Sequence, residues 1–389
     1  MRKAPPSRRK EKSLAAALST NGTALLLVGA VLSSFLGAAL TAQPQWKGTI
    51  VKEGDVTVVR NPKEPIYKTP VLELKEELSL GGASAEGEEA FGRIRHVVVD
   101  DAGTIYVLDS QSAHIKVFDS SGKYVRTIGR KGQGPGEIES PLTLSINPST
   151  GELAVHQASR RMSYFKTDGV FLRHLSFKEM WALRGRVDSQ GNIYITEGIL
   201  NEKNPRYETK MLGPDASVIA VIAESPAPGA DGRFDPFMAI NYFIVDRADR
   251  LIYGYPKTYE IQFFGPGSPK LIKKVTREYD PVPVTAEERA EREKDVPPGM
   301  KIDFDFSKYH SAYYRFFASD TGHLFVQTWE KTKDGKSLHD IFDPDGRFIG
   351  RIPLKPSGLE VLKGKYYALE EDEDGYQTVK RYALTWKVN

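Results

Sequence analysis

The sequence predicts an all-β chain, a six-bladed β-propeller of four-stranded antiparallel blades with one short helical insertion. Three observations carry that prediction. From about residue 70 onward, short alternating runs rich in Val, Ile, Tyr and Phe are broken every eight to twelve residues by Gly, Asp, Asn and Pro. A pair of turns recurs along the chain, spaced to fit two strands and a loop. The last unit is one strand short, and a spare strand lies at the other end of the body.

The N-terminus comes first in chain order. Residues 1–42 carry six Lys/Arg and the single acid Glu11, and Ala24–Ala42 holds no charge at all. This pattern reads as a signal peptide ending in the small residues Ala-Leu-Thr-Ala, or as an N-terminal membrane anchor with its basic flank inside. Either way the body is expected outside the cytoplasm, periplasmic or extracellular, and anchored to the inner membrane by residues 24–42 if they are not cleaved. The rest of the chain has 48 basic and 50 acidic residues, a net of −2. A near-neutral body argues against nucleic-acid binding. The chain has no cysteine, which excludes disulfides, thiolate nucleophiles and zinc–thiolate sites. Residues 43–69 read as a linker or N-terminal extension, and 70–389 as the propeller.

Within the body, Val97–Gly129 (VVVDDAGTIYVLDSQSAHIKVFDSSGKYVRTIG) reads strand, turn, strand, loop, strand, turn, strand. Its first turn ends at Gly103, echoed at Gly151, Gly191, Asp249, Gly322 and Gly364. Its second ends at Gly122, echoed at Gly169, Ala216, Gly267 and Gly346. Six four-stranded meanders follow from this repetition. The sixth has three strands, so Pro70–Gly81 is expected to complete it and close the ring, which removes two open sheet edges. Between the fourth and fifth units, residues 283–299 carry a capping box, Thr285 with Glu288, and predict a short, polar, exposed helix.

The first unit, with the linker Gly132-Gln-Gly134-Pro135-Gly136-Glu137-Ile138 and Pro141 behind it, resembles the NHL-repeat signature. The chain is similar to the exported bacterial six-bladed propellers related to NHL proteins. The likeness is strong over about fifty residues and degenerate elsewhere, and Ser112 and His114 stand where that family carries Asn and Arg. Some NHL-type propellers, the lyase half of peptide-amidating enzymes among them, hold zinc near the central channel. Gluconolactonase-like propellers bind calcium through acidic groups at the blade starts, where this chain has Arg and Tyr instead.

The glycine-rich Gly129–Pro141 (GRKGQGPGEIESP) is not a phosphate loop, because no Lys-Ser/Thr follows it and a strand, not a helix, comes next. It reads as an inter-blade crossover. The polar residues at the starts of innermost strands are the candidate ligand-binding set: Arg93, Arg95, His96, Arg184, Arg186, Asn241, Tyr309, His310, Tyr314 and Arg315. Arginine offers a planar fork for carboxylate or phosphate, and tyrosine an apolar face with a polar tip. His96, His156 and His310 form an alternative metal set converging on the channel. The expected function is non-catalytic binding of a protein, peptide, glycan or small anion at the channel end face, within the cell envelope and without a cofactor. The alternative is a propeller enzyme, a metal-dependent lyase or a lactonase-like hydrolase.

Overall fold

The structure, a computed structural model, describes residues 45–388 apart from 178–179, 201–202, 228–233, 298, 300 and 356–357. The apolar Ala24–Ala42 stretch lies outside the described residues, among which no helix is long and apolar enough to cross a membrane.

Six blade sheets follow one another in chain order, five of four strands and one of six; five are built on a meander of four consecutive strands, and the last joins three consecutive strands to one from the N-terminal side. Their innermost strands are Ile94–Val99, Pro141–Ile146, Ala182–Val187, Tyr242–Val245, Arg315–Ala318 and Gly358–Leu362, which define blades 1 to 6. Blades pack face against face, so their middle strands are covered on both sides. Ile105–Asp109 and Leu153–Gln157 are buried at every position, while the outermost strand Tyr124–Ile128 is exposed through its centre. The cores lie between blades. Leu108, Ile115 and Val117 of blade 1 meet Leu144, Val155 and Phe165 of blade 2. Leu80 and Val379 of blade 6 meet Val97, Val107 and Phe118 of blade 1. That last core exists because Leu72–Gly81 pairs antiparallel with Gln377–Trp386 and supplies the sixth blade's fourth strand, as the short final unit requires.

The recurring turns explain the repeat. All eleven turn residues that the sequence singles out have φ between 55° and 100°. Glycine tolerates that region freely, whereas Asp249 and Ala216 occupy it with a Cβ, at a cost of about 1 kcal/mol each. The acid of the first turn has its own task. Asp100 Oδ1 accepts the backbone N–H groups of Ala102 and Thr104, and Oδ2 accepts the Tyr106 hydroxyl at 3.0 Å. Asp188 and Tyr194 repeat this lock in blade 3 at 3.2 Å. The spacing Asp-x-x-Gly-x-Ile-Tyr is therefore a turn closed by a side chain three residues past its glycine.

Residues 43–69, which the sequence leaves as a linker or N-terminal extension, hold a hairpin: Thr49–Glu53 pairs with Val56–Asn61, and the second strand pairs parallel with Leu271–Arg277 on the outer edge of blade 4. That sheet has six strands, and its edge is covered. Asn61 locks the join. Its Oδ1 accepts Trp46 Nε1 at 2.9 Å and the Phe348 N–H at 2.7 Å, and its Nδ2 donates to the carbonyls of Thr276 and Gly346. The sequence gives no sign of this docking because the hairpin's partners are more than 200 residues away.

The glycine-rich crossover Gly129–Pro141 is scaffold. Arg130–Lys131 pairs in parallel with Glu137–Ile138. The Glu137 carboxylate accepts the Gly134 N–H and the Arg130 guanidinium, both at 2.9 Å. A side chain at Gly132 would collide with that carboxylate. The anion this loop cradles is its own.

Candidate functional site

The six innermost strands run side by side around an axial channel with a cavity of about 570 Å³, within the range of small-molecule sites. Residues at or near their starts gather at one mouth, joined by Arg186, the fifth residue of its strand. Arg95 and His96 come from blade 1, Arg184 and Arg186 from blade 3, Asn241 and Tyr242 from blade 4, and Tyr314 and Arg315 from blade 5.

The mouth is cationic, and three of its charges lack a counter-charge. The Arg186 Nη2 donates to His96 Nε2 at 2.8 Å across the channel, and its Nη1 to the Gly185 carbonyl at 3.0 Å. Arg184 reaches only the Asn241 carbonyl at 3.4 Å and lies over the Tyr242 ring, 4.7 Å from its centroid. Arg95 touches the Leu142 carbonyl at 3.4 Å. Among the described residues no carboxylate pairs with Arg95, Arg184 or Arg186. Burial accordingly pushes the Arg186 guanidinium down to about 10, with Arg184 adding repulsion, and burial lowers Arg184 as well. His96 is held neutral, well below the ordinary imidazole range, first by burial and then by Arg186, Arg95 and Arg184. Arg315 differs, since its Nε donates to Gln327 Oε1 at 3.0 Å.

The opposite end is charged but self-satisfied. Arg247 of blade 4 reaches across to blade 1, where it donates to the Val99 carbonyl and meets Asp101 at 3.4 Å. It also lies 3.7 Å from Glu360 of blade 6. Glu360 accepts the Val99 N–H at 3.2 Å, and burial raises its carboxyl above the usual range. Asp246 pairs with Arg250, and Asp320 accepts the Lys363 N–H. This bracing forms a floor opposite the cationic mouth.

Other sequence candidates lie elsewhere. Arg93 and Tyr309 are exposed and outside the channel wall. Arg93 serves through its backbone, whose N–H donates to the buried Asp109 at 3.1 Å. His310 stacks on Trp329 at 4.2 Å and meets Glu288 at 3.1 Å, which pins the helix Ala286–Lys294 to blade 5. Thr285 and Glu288 form the expected capping box of that helix. His156 is wholly buried between blades 2 and 3, edge-on to Phe177 and beneath Gly185. The structure does not bring His96, His156 and His310 together, and no cluster of three or more potential metal ligands occurs among the described residues. The expectation failed because a strand-end position does not say which side of the blade a side chain leaves from. Tyr242, beside Asn241 at the start of its strand, was legible from the sequence; Leu142 and the Arg247 floor were not, and carried no signal.

Residues 86–219 match the family DUF5128, described as a 6-bladed β-propeller. Among solved structures, a candidate exported protein from Bacteroides fragilis superposes with a TM-score of 0.55 at 12% identity, covering 85% of this chain and 99% of its own. A member of the DUF4221 family from Bacteroides vulgatus superposes with a TM-score of 0.51 at 12% identity, covering 81% of this chain and 99% of its own. No curated protein matches the chain in sequence. At such identities the likeness shows the fold alone, and the six-bladed architecture is common ground with the sequence reading.

Proposed function

We propose that this chain is an exported, non-catalytic binding protein that takes the acid group of its ligand into the arginine mouth of the channel. The carrying observation is the trio Arg95, Arg184 and Arg186, gathered from two blades without a carboxylate partner among the described residues. Like charges brought together under partial burial cost stability, and proteins keep such arrangements where a ligand relieves them. Guanidinium forks suit carboxylate or phosphate, whether on a small anion, a peptide or a glycan. His96 accepts from Arg186 and is not free to act as a base toward a bound molecule, which supports binding over catalysis. Export is supported by the uncharged run Ala24–Ala42 behind its basic flank, and by the candidate exported protein among the structural neighbours.

Calorimetric titration with citrate and inorganic phosphate tests the reading. Saturable binding is expected, weakened about 10- to 100-fold by Arg184→Gln or Arg186→Gln, the loss of one charge-assisted contact. Arg130→Gln, on the exposed crossover, should leave it unchanged. Absence of binding by either probe, or equal loss in all three variants, would defeat the proposal.

A further inference from the structure

We infer that the ligand is an amphipathic organic acid, its acid group at the arginine mouth and an apolar body extending down the channel toward the Arg247 floor. This inference rests on the anion-binding reading and adds the chemistry of the rest of the molecule.

The wall below Arg95 and Arg184 carries it. Val98, Ile146, Ile244, Ala318 and Leu359 line the channel, one or more from blades 1, 2, 4, 5 and 6, and all are partly accessible. Val98, Ile146, Ile244 and Ala318 lie in the later halves of their strands and Leu359 second in its own, whereas Arg95 and Arg184 lie nearer the strand starts; Arg186, fifth in its strand, stands level with Val98 and Ile244. From Arg95 to Val98 is three residues, about 10 Å along an extended strand. An acid held at the mouth therefore places its next several atoms against aliphatic carbon.

Polar atoms on this wall are largely committed. Thr143 donates to the Gly185 carbonyl at 2.7 Å, and the Ser319 hydroxyl is engaged with Thr321 and with the His323 N–H. Ser145 lies beside these two, and the other hydroxyls of the lining, those of Tyr242 and Tyr314, stand at the mouth. A saccharide body would bring several hydroxyls here and find few partners, and each unpaired group would carry a desolvation penalty. An apolar body loses nothing and gains burial. At the far end the charges of Arg247, Glu360 and Asp101 answer one another, so the floor does not call for a second charge on the ligand.

Two isosteric acids separate the outcomes. Cyclohexanecarboxylate and glucuronate share a six-membered ring and a carboxylate but differ in ring hydroxyls. Each is titrated calorimetrically into the full propeller, with inorganic phosphate as a head-group control and a straight-chain series from acetate to octanoate. Cyclohexanecarboxylate should bind at least 10-fold tighter than glucuronate. Affinity should rise about 3- to 4-fold per methylene until the floor is reached, with a negative heat-capacity change. Ile244→Asn should flatten the chain-length series while leaving phosphate binding intact, and Arg186→Gln should weaken every probe. Equal or tighter binding of glucuronate, or a flat series in the unmodified protein, overturns the apolar-body inference and leaves the arginine reading standing. Failure of phosphate and all acids to bind overturns both. Retention of the chain-length series in Arg186→Gln with unchanged affinity shows binding away from the mouth, and also overturns both.

Discussion

Removing one mouth arginine should stabilise the ligand-free protein, whereas removing a buried arginine of the core should do the reverse. Arg186 and Arg277 make the comparison. Arg186 is held down from the ordinary guanidinium range to about 10, chiefly by burial. That difference corresponds to about 3 kcal/mol against the charged form, reduced by the water that reaches the mouth. The penalty applies at every pH below about 10, because the folded state there holds a cation that the unfolded chain solvates better. Arg186→Gln also gives up the contact with His96, worth about 1 kcal/mol. The net expectation is a gain of about 1–2 kcal/mol at neutral pH. Arg277 is 8% exposed and pairs at 3.0 Å with Asp340, which is fully buried and also accepts from Arg351 and Tyr259. Arg277→Gln strands part of that network and should cost about 3–5 kcal/mol. Urea unfolding of the three proteins at pH 7, without added phosphate or carboxylate, reads both effects as opposite shifts of the midpoint. If Arg186→Gln destabilises as Arg277→Gln does, the guanidinium is a structural strut, and the argument that the mouth is built for a ligand fails.

His156 is wholly buried, and burial holds its imidazole down to about 4; the neutral form is the one that the fold keeps. Its stabilising effect is complete above the free value of 6.5 and should fall by up to about 3 kcal/mol as pH drops from there toward 4. Urea midpoints between pH 7 and 4.5 should decline less steeply in His156→Leu, and identical slopes would contradict the assignment. Asn61→Ala removes four hydrogen-bonding contacts at the join of the N-terminal hairpin to blades 4 and 5. It should cost about 2–4 kcal/mol by denaturant unfolding, where a true linker residue would cost nothing measurable. Ala216 sits at φ 66° in a second-turn position held by glycine in other blades. Ala216→Gly should raise stability by about 0.5–1 kcal/mol, and a loss would mean that the turn is not strained.

The sequence alone determined the architecture. Tight turns need positive φ, and the spacing of Gly103 and Gly122 with their echoes counts the blades before any contact is known. The missing strand of the last unit likewise fixes the closure, since sheet edges must pair. Part of the mouth was legible for the same reason: in a propeller the first residues of innermost strands meet, so Arg95, His96, Arg184 and Arg186 could be grouped from strand order. What the tertiary structure alone decided is which face each side chain takes and which distant groups answer it. His156 turns into the gap between blades and His310 onto Trp329, so position along a strand misassigned both. The hairpin at 49–61 and the Arg247 floor depend on partners up to 287 residues away, as in the bond from the Phe348 N–H to Asn61. Local propensity records turns because a turn is closed by its own few residues. The pairing of Arg247 with Glu360, and the lack of any such partner for Arg186 among the described residues, are set only when six blades close into a ring.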